Sequence, residues 1–302
     1  MMTESPGLTL PVTAKDFPDW SNEPWRRLQR AVSRQAERVG ITRNMLPLVQ
    51  VNQDAMTVPE NRILLAGAGY AIEEAPVTRL NEIWADFTLT PQQMRDEAAL
   101  HTAAVLGEHV TQFLTEGQDA LVFQGESALK EDVRFKKLGI RARSGPAGPG
   151  LLAMAPEDQV IFVKAESGGA SIYGDRTFEA VAEGYRRLQA KGHDGPYVLA
   201  FAPEPYADAF APIPRTQIMP ARRIRDLLAT LPKGSGSLAA LTGVLVSLGG
   251  SSVQLVLGRD IKVNFLQEAP DGRYKFRVQQ RFALRVQDPD AIVRFQFEAP
   301  PR

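Results

Sequence analysis

The chain has no cysteine, only three histidines and no net charge: 35 lysines and arginines stand against 35 aspartates and glutamates in 302 residues. Without a thiol there is no disulfide, thiolate metal site, iron–sulfur cluster or cysteine nucleophile. His101, His109 and His193 are too few for a histidine-rich centre. His101 and His109 stand eight apart with no ligand between them and read as surface or core-edge residues. No apolar run reaches the roughly 18 residues of a membrane span, and no charged leader with a long apolar stretch marks a signal peptide. The charge balance favours neither nucleic acid nor an anionic membrane as partner, and it leaves self-association unopposed. A cytoplasmic protein without membrane contact is the expectation.

Recognisable catalytic patterns are missing too. There is no G-x-S-x-G elbow, no H-E-x-x-H and no calcium loop, and the acidic residues are scattered. Gly67 and Gly69 lack the third glycine and the strand–helix unit of a dinucleotide loop. Lys233 to Ser237 (KGSGS) lacks the spacing of a phosphate loop. No catalytic residue, cofactor or metal is therefore expected. A chain of this size without a site reads as a protein whose product is an interface.

What is present is strongest in the C-terminal third. Tyr274, Phe276, Val278, Phe282, Leu284 and Val286 are apolar at alternate positions, broken by Gln280, while Arg273, Lys275, Arg277, Gln279, Arg281, Arg285 and Gln287 fill the other face. That period of two predicts a long strand. Asp288-Pro289-Asp290 turns the chain into a last strand with Ile292, Val293, Phe295 and Phe297. Leu241 to Leu248 and Val253 to Leu257, around Gly249-Gly250, are expected to pair as a hairpin.

Upstream, Ser21 to Val39 reads as an amphipathic helix. Trp25, Leu28, Val32, Ala36 and Val39 lie on one side, and Arg26, Arg27, Arg30, Arg34 and Arg38 spread over the other. Residues 46–80 mix short strand-like pieces with turns and read as an extended arm. Trp84 to Leu89 is a predicted strand, and Thr90-Pro91 starts a long helix to about Glu116. Asp119 to Gly125 (DALVFQG) closes that unit. Val160 to Val163 and Tyr197 to Phe201 are predicted strands. Helices are predicted over Phe178 to Ala190, capped by Thr177, over Pro205 to Phe210 and over Arg222 to Leu231.

Several short pieces then occur in one order: Phe87-Thr88-Leu89, Asp119 to Gly125, Gly150-Leu151-Leu152, Gly192 to Tyr197, Gln254 to Asp260, and Asp288 to Ala291. On these the chain resembles the encapsulin nanocompartment shell proteins, the linocin-like bacteriocin family, especially their first group. The resemblance covers about residues 84–297. It implies an α+β fold like that of tailed-phage major capsid proteins, with peripheral domain, axial domain and extended arm.

The divisions it implies are a leader and amphipathic helix (1–45), the arm (46–80), a first peripheral part (81–163), the axial domain (164–252) and peripheral C-terminal strands (253–302). It further implies a homo-oligomer closed as an icosahedral shell, enclosing cargo enzymes through their C-terminal targeting peptides. Trp25, Leu28, Val32, Phe295 and Phe297 are the candidates for the cargo-peptide groove. Ala211, Pro212, Ile213, Pro214, Arg215, Thr216 and Gln217 would form the five-fold pore loop, with Arg215 its one formal charge, so the opening would be weakly selective or mildly anion-favouring. Some members associate a flavin with an aromatic residue just after the FTL motif. Thr90, Pro91, Gln92 and Gln93 stand there in this chain, so no flavin is carried over. The alternative is a phage or prophage capsid protein that packages DNA.

Overall fold

The first helix forms where the sequence alternates arginine with apolar side chains, and the chain then folds back on itself before any strand appears. The computed structural model describes residues 20–300 apart from 21, 67–68, 75, 144–147, 166–170 and 214–217. Helix α1 (Asn22–Val39) is followed by α2 (Ile41–Met45) and strand β1 (Leu48–Gln50). Strands β2 (Thr57–Pro59), β3 (Arg62–Ala66), β4 (Gly69–Glu73) and β5 (Val77–Arg79) make the arm: β3 pairs with β4 and β2 with β5, both antiparallel. Strand β6 (Asn81–Leu89) leads to α3 (Pro91–Arg95), α4 (Glu97–Leu100) and α5 (Thr102–Gln124), then α6 (Glu126–Glu131), α7 (Val133–Lys136), β7 (Arg141–Arg143) and α8 (Leu151–Met154).

The second half runs through β8 (Val160–Val163), α9 (Arg176–Ala190), β9 (Tyr197–Phe201), α10 (Pro203–Ala209), α11 (Pro220–Leu228), β10 (Lys233–Gly234) and β11 (Thr242–Ser247). It ends in β12 (Val253–Glu268), β13 (Tyr274–Val286) and β14 (Ile292–Phe297). Two five-stranded sheets result, ordered β1-β12-β13-β6-β7 and β10-β9-β11-β14-β8.

The first sheet turns Ile83, Phe87 and Leu89 of β6 and Phe276 and Val278 of β13 toward α5 and α1, and these residues share one core. The second sheet packs Leu199, Phe201, Leu245, Val293 and Phe295 against α9 and α11 in a separate core.

Two expectations need correction. Strands β11 and β12 do not pair: β11 lies between β9 and β14, and β12 lies between β1 and β13. Every residue of β11 is buried, so it is an interior strand with partners on both sides, and the Gly249–Ser251 turn carries the chain from one sheet to the other. The final strand likewise belongs to the second sheet, where it pairs with β11 and with β8. Residues 160–163 and 292–297, which the resemblance assigns to peripheral parts, share this sheet with β9 and β11.

Second, the single helix expected over 91–116 is three helices. The Thr90 capping box starts α3 as anticipated, Thr90 Oγ1 accepting from Gln93 N and Gln93 Oε1 from Thr90 N. The break comes at His101, whose φ of 54° is left-handed. The buried Glu97 carboxylate accepts the Ala103 N–H at 2.7 Å there, replacing a backbone acceptor. Helix α5 then continues to Gln124, so Asp119 to Gln124 is helical. Its last turns are buried from Gly117 to Phe123, and a helix buried all round shows no amphipathic period.

Two pieces of the ordered motif set meet in space. Gly125 ends α5 at φ 67°, and a Cβ on it would lie 2.3 Å from Gly150 N; one on Gly150 would lie 2.4 Å from Gly125 N. Only two glycines allow that backbone contact.

The α1–α2 corner is held by one buried carboxylate. Asp119, on α5, accepts the N–H groups of Ile41 and Thr42 at 3.0 and 2.9 Å and the Thr42 hydroxyl. Burial pushes its carboxyl up to about 6 from an ordinary 3.8, outweighing those donors. A folded-state value above the unfolded one means that the native chain holds this proton more tightly. The group's contribution to stability is therefore present below about pH 4 and is lost as pH rises toward 6. Asp119→Asn is expected to flatten the stability profile between pH 4 and 6, by on the order of 3 kcal/mol across that window. Denaturation at several pH values measures it, and a parent and variant with parallel profiles would contradict the assignment.

Candidate functional site

Helix α1 is fixed to the first sheet and to α5 by its own side chains. Leu28 and Val32 are fully buried and meet α5 at Gly107, where a Cβ would come within 2.6 Å of Leu28 Cδ1. Gln29 Nε2 donates to the Val263 carbonyl of β12 at 2.7 Å. Arg43 of α2 makes a two-point ion pair with Asp260 at 2.7 and 3.0 Å, and Arg27 reaches the His101 ring at the helix break. Beyond Leu257, where pairing with β1 ends, α1 and α2 cover the edge of β12 that would otherwise be open.

This docking carries two tryptophans onto the sheet. Trp20 and Trp25 lie with ring centroids 5.6 and 6.4 Å from Phe276, and 6.0 Å from each other. Phe276 is completely buried, stacked on Phe87 at 5.2 Å and edge-on to Phe265 at 5.5 Å. The tryptophans are half-buried, so an aromatic cluster that is closed at Phe276 opens to the surface through them. Arg26, Arg30, Arg34 and Arg38 line the exposed side of the same helix.

The structure does not bring the five groove candidates together. Trp25 stands at the surface of the aromatic cluster. Leu28 and Val32 point instead at α5 and serve as packing. Phe295 and Phe297 are buried in the second sheet, beside Phe201, because the chain leaves the first sheet after β13, at the Asp288–Ala291 turn. Trp20, Phe87, Phe265 and Phe276 are the residues that gather around Trp25 instead. Phe276 sits in the period-two run and Phe87 in the FTL motif, but nothing in the sequence says which helix covers them.

The proposed pore loop joins α10 to α11. Ala211, Pro212 and Ile213 are described, and Ile213 N donates to Ile218 O at 3.0 Å, closing the loop. Pro214, Arg215, Thr216 and Gln217 lie outside the described residues. The end of α10 is anchored by Asp208, which accepts from Ser171 Oγ and from the N–H groups of Ile172 and Tyr173 at 2.9, 2.6 and 3.0 Å.

A cavity of about 860 Å³ opens where the arm overhangs the junction of the two sheets, with His193, Asp288 and Ser252 among its lining residues. Their residue types suggest a hydrolytic triad, but the geometry does not make one. His193 Nε2 is 3.4 Å from Asp288, while the Ser252 hydroxyl donates to the Gly249 carbonyl at 3.0 Å and not to His193. Among the described residues no group of three or more histidine, aspartate or glutamate side chains could hold a metal ion, and no helix is long and apolar enough to cross a membrane.

Comparison with known proteins agrees with this architecture. Residues 150–283 match the model of a family described as the encapsulating protein for peroxidase. The type 1 encapsulin shell protein of Myxococcus xanthus is 29% identical over 165 residues, which cover 49% of this chain and 57% of that protein. The diheme-cytochrome–encapsulin shell fusion protein of Kuenenia stuttgartiensis is 22% identical over 288 residues, covering 90% of this chain and 72% of that one. Among solved structures, the virus-like particle from Pyrococcus furiosus superposes with a TM-score of 0.66 at 15% identity, over 91% of this chain and 100% of that chain. At that identity the likeness shows the fold, which is capsid-like. In sequence the chain is thus similar to encapsulin shell proteins, spanning a little over half the length of the Myxococcus xanthus relative, and in space it has a capsid-like α+β fold.

Proposed function

We propose that the chain is the repeating subunit of a closed icosahedral shell, a structural and non-enzymatic role. The observation that carries this reading is the capsid-like fold, joined to a projecting arm whose apolar side chains a single copy leaves open. Leu64 is 46% exposed and Ile72 62%, and the base of the arm is tied to the body by Ile63 N donating to Gln287 O at 2.9 Å. Apolar side chains held out on a hairpin are stabilised when a neighbouring copy covers them, and contacts that repeat head to tail close into a shell.

The cargo site we favour is the aromatic surface at the start of α1. An extended targeting peptide from a cargo enzyme would lay apolar side chains on Trp20 and Trp25, with Leu28 and Val32 holding the helix in place beneath. Small solutes would pass the five-fold opening formed by residues 211–217, with Arg215 tilting it toward anions. The position of Trp20 and Trp25 on the sheet supports the cargo reading, and family resemblance supports the pore reading.

Negative-stain electron microscopy of the purified protein tests the shell. Uniform hollow particles are expected; monomers or dimers at all concentrations would reject the reading, and particles filled with DNA would favour a phage capsid instead. For cargo, Trp25→Ala is expected to leave particles intact and to reduce co-purification of a peptide-tagged reporter at least several-fold. Undiminished loading would remove Trp25 from the site. For the pore, Arg215→Glu should raise cation influx into preformed particles, and an unchanged rate would show that Arg215 does not set selectivity.

A further inference from the structure

The face of the first sheet that points away from α1 and α5 is covered at one end only. There Val58 and Leu80, at the base of the arm, close over Val256 and Ala283. Over the rest of that face, register sets Arg141 and Arg143 of β7 opposite Trp84 and Glu82 of β6. Glu82 and Asp86 lie in turn opposite Arg281 and Arg277 of β13. Strand β12 adds Arg259 opposite Arg281 and Lys262 opposite Gln279. With Lys275, which reaches Asp86 at 3.1 Å, seven cationic side chains share the face with two carboxylates.

Those two carboxylates are fully engaged. Asp86 takes Arg277 at 2.7 Å as well as Lys275, and Glu82 is divided between Arg281 at 3.4 Å and Arg259 at 3.9 Å. Arg141, Arg143 and Lys262 have no carboxylate within ion-pair distance among the described residues. Burial, with Arg259 beside it, holds Lys262 below the usual lysine range. Hydrogen-bonding capacity leans the same way: Trp84 Nε1 and Arg259 Nε are buried donors without an acceptor among the described residues. The face is short of acceptors and of negative charge.

Two features indicate what supplies them. The paired cations lie flat, with side-chain exposures from 14% for Arg281 to 34% for Lys275, and carboxylates are interleaved among them. That is the relief of a protein interface and not of a phosphate-tracking ridge. The whole chain is neutral, so an excess of five positive charges here is balanced by an acidic excess elsewhere on the same molecule. A second copy can therefore supply the carboxylates that this face lacks, through a heterologous, charge-complementary contact.

We propose that the open half of this sheet face, centred on Trp84, Arg259 and Lys262, is an interface that receives a carboxylate-bearing surface of a second copy of this chain. This rests on the shell reading and names one of its contacts.

The test compares the parent with an Arg259→Glu/Lys262→Glu variant and with the milder Lys262→Gln, using gel filtration across a salt series and circular dichroism on the same samples. The expected result is native-like circular dichroism for Lys262→Gln with assembly that fails at lower salt than the parent's, and at least a tenfold loss of assembled material for the double variant. Assembly of both variants with the parent's yield and salt dependence would overturn the inference while leaving the shell standing. A parent that never assembles would overturn the shell reading and this contact with it. Nucleic acid that co-purifies with the parent and is lost from Lys262→Gln would also overturn it, assigning the face to phosphate.

Discussion

The antiparallel pairing of β12 with β13 is the constraint on which the other contacts depend. The two strands hold sixteen and thirteen residues. Strand β13 carries β6 on its far side, and β12 carries β1. Register shifts between Leu257 and Arg259, Arg259 and Lys262, and Phe265 and Gln267 interrupt the ladder, and such bulges increase the local twist. One face of this ribbon supplies Phe276, Val278 and Val263 to the core under α5 and α1. The other collects the cations that a single copy leaves incompletely paired.

Both ends of the ribbon also join the two sheets. The chain enters β12 from β11 and leaves β13 for β14, and the two crossings are bonded to each other where Gln287 N donates to Ser252 O at 2.7 Å. The second sheet packs one face against α9 and α11 and lends Ala200, Val244, Val246 and Ile292 to the core of the first sheet, so this doubled crossing runs beside a shared apolar contact. The arm is bonded to the same place through Ile63 and Gln287. A displacement of the arm would therefore be felt at the junction of the two sheets.

Helix α1 is placed by a different kind of force. Its arginine-rich side faces solvent, and its buried side is small: Leu28, Val32 and Ala36, with Gln29 bonded to a strand carbonyl. Apolar burial of this size is worth roughly 1.5–3 kcal/mol for each large side chain, and it does not by itself fix direction. Directional bonds from Asp119 and the Arg43–Asp260 pair do so, and they decide that Trp20 and Trp25, and not Leu28, reach the surface.

The sequence by itself determined the elements whose chemistry is local. The period of two in β13, the amphipathic arginine helix, the Thr90-Pro91 helix start and the Asp288-Pro289 turn all depend on neighbours a few residues away, and each is where it was expected. The absence of cysteine and the scarcity of histidine excluded whole classes of site in the same direct way. Tertiary structure alone decided the partners. The run Leu241 to Leu257 reads as a hairpin, yet β11 and β12 went to different sheets because each had a better neighbour from a distant part of the chain. Phe295 and Phe297 looked like companions of Trp25 and are buried in the other core. The end of α5 showed no helical period because it is enclosed on all sides. The cation excess on the sheet face was spread over β7, β12 and β13, from Arg141 to Arg281, and became a patch only when register set those strands side by side. Pairing over such separations depends on which surfaces fit, and a linear pattern does not carry that information.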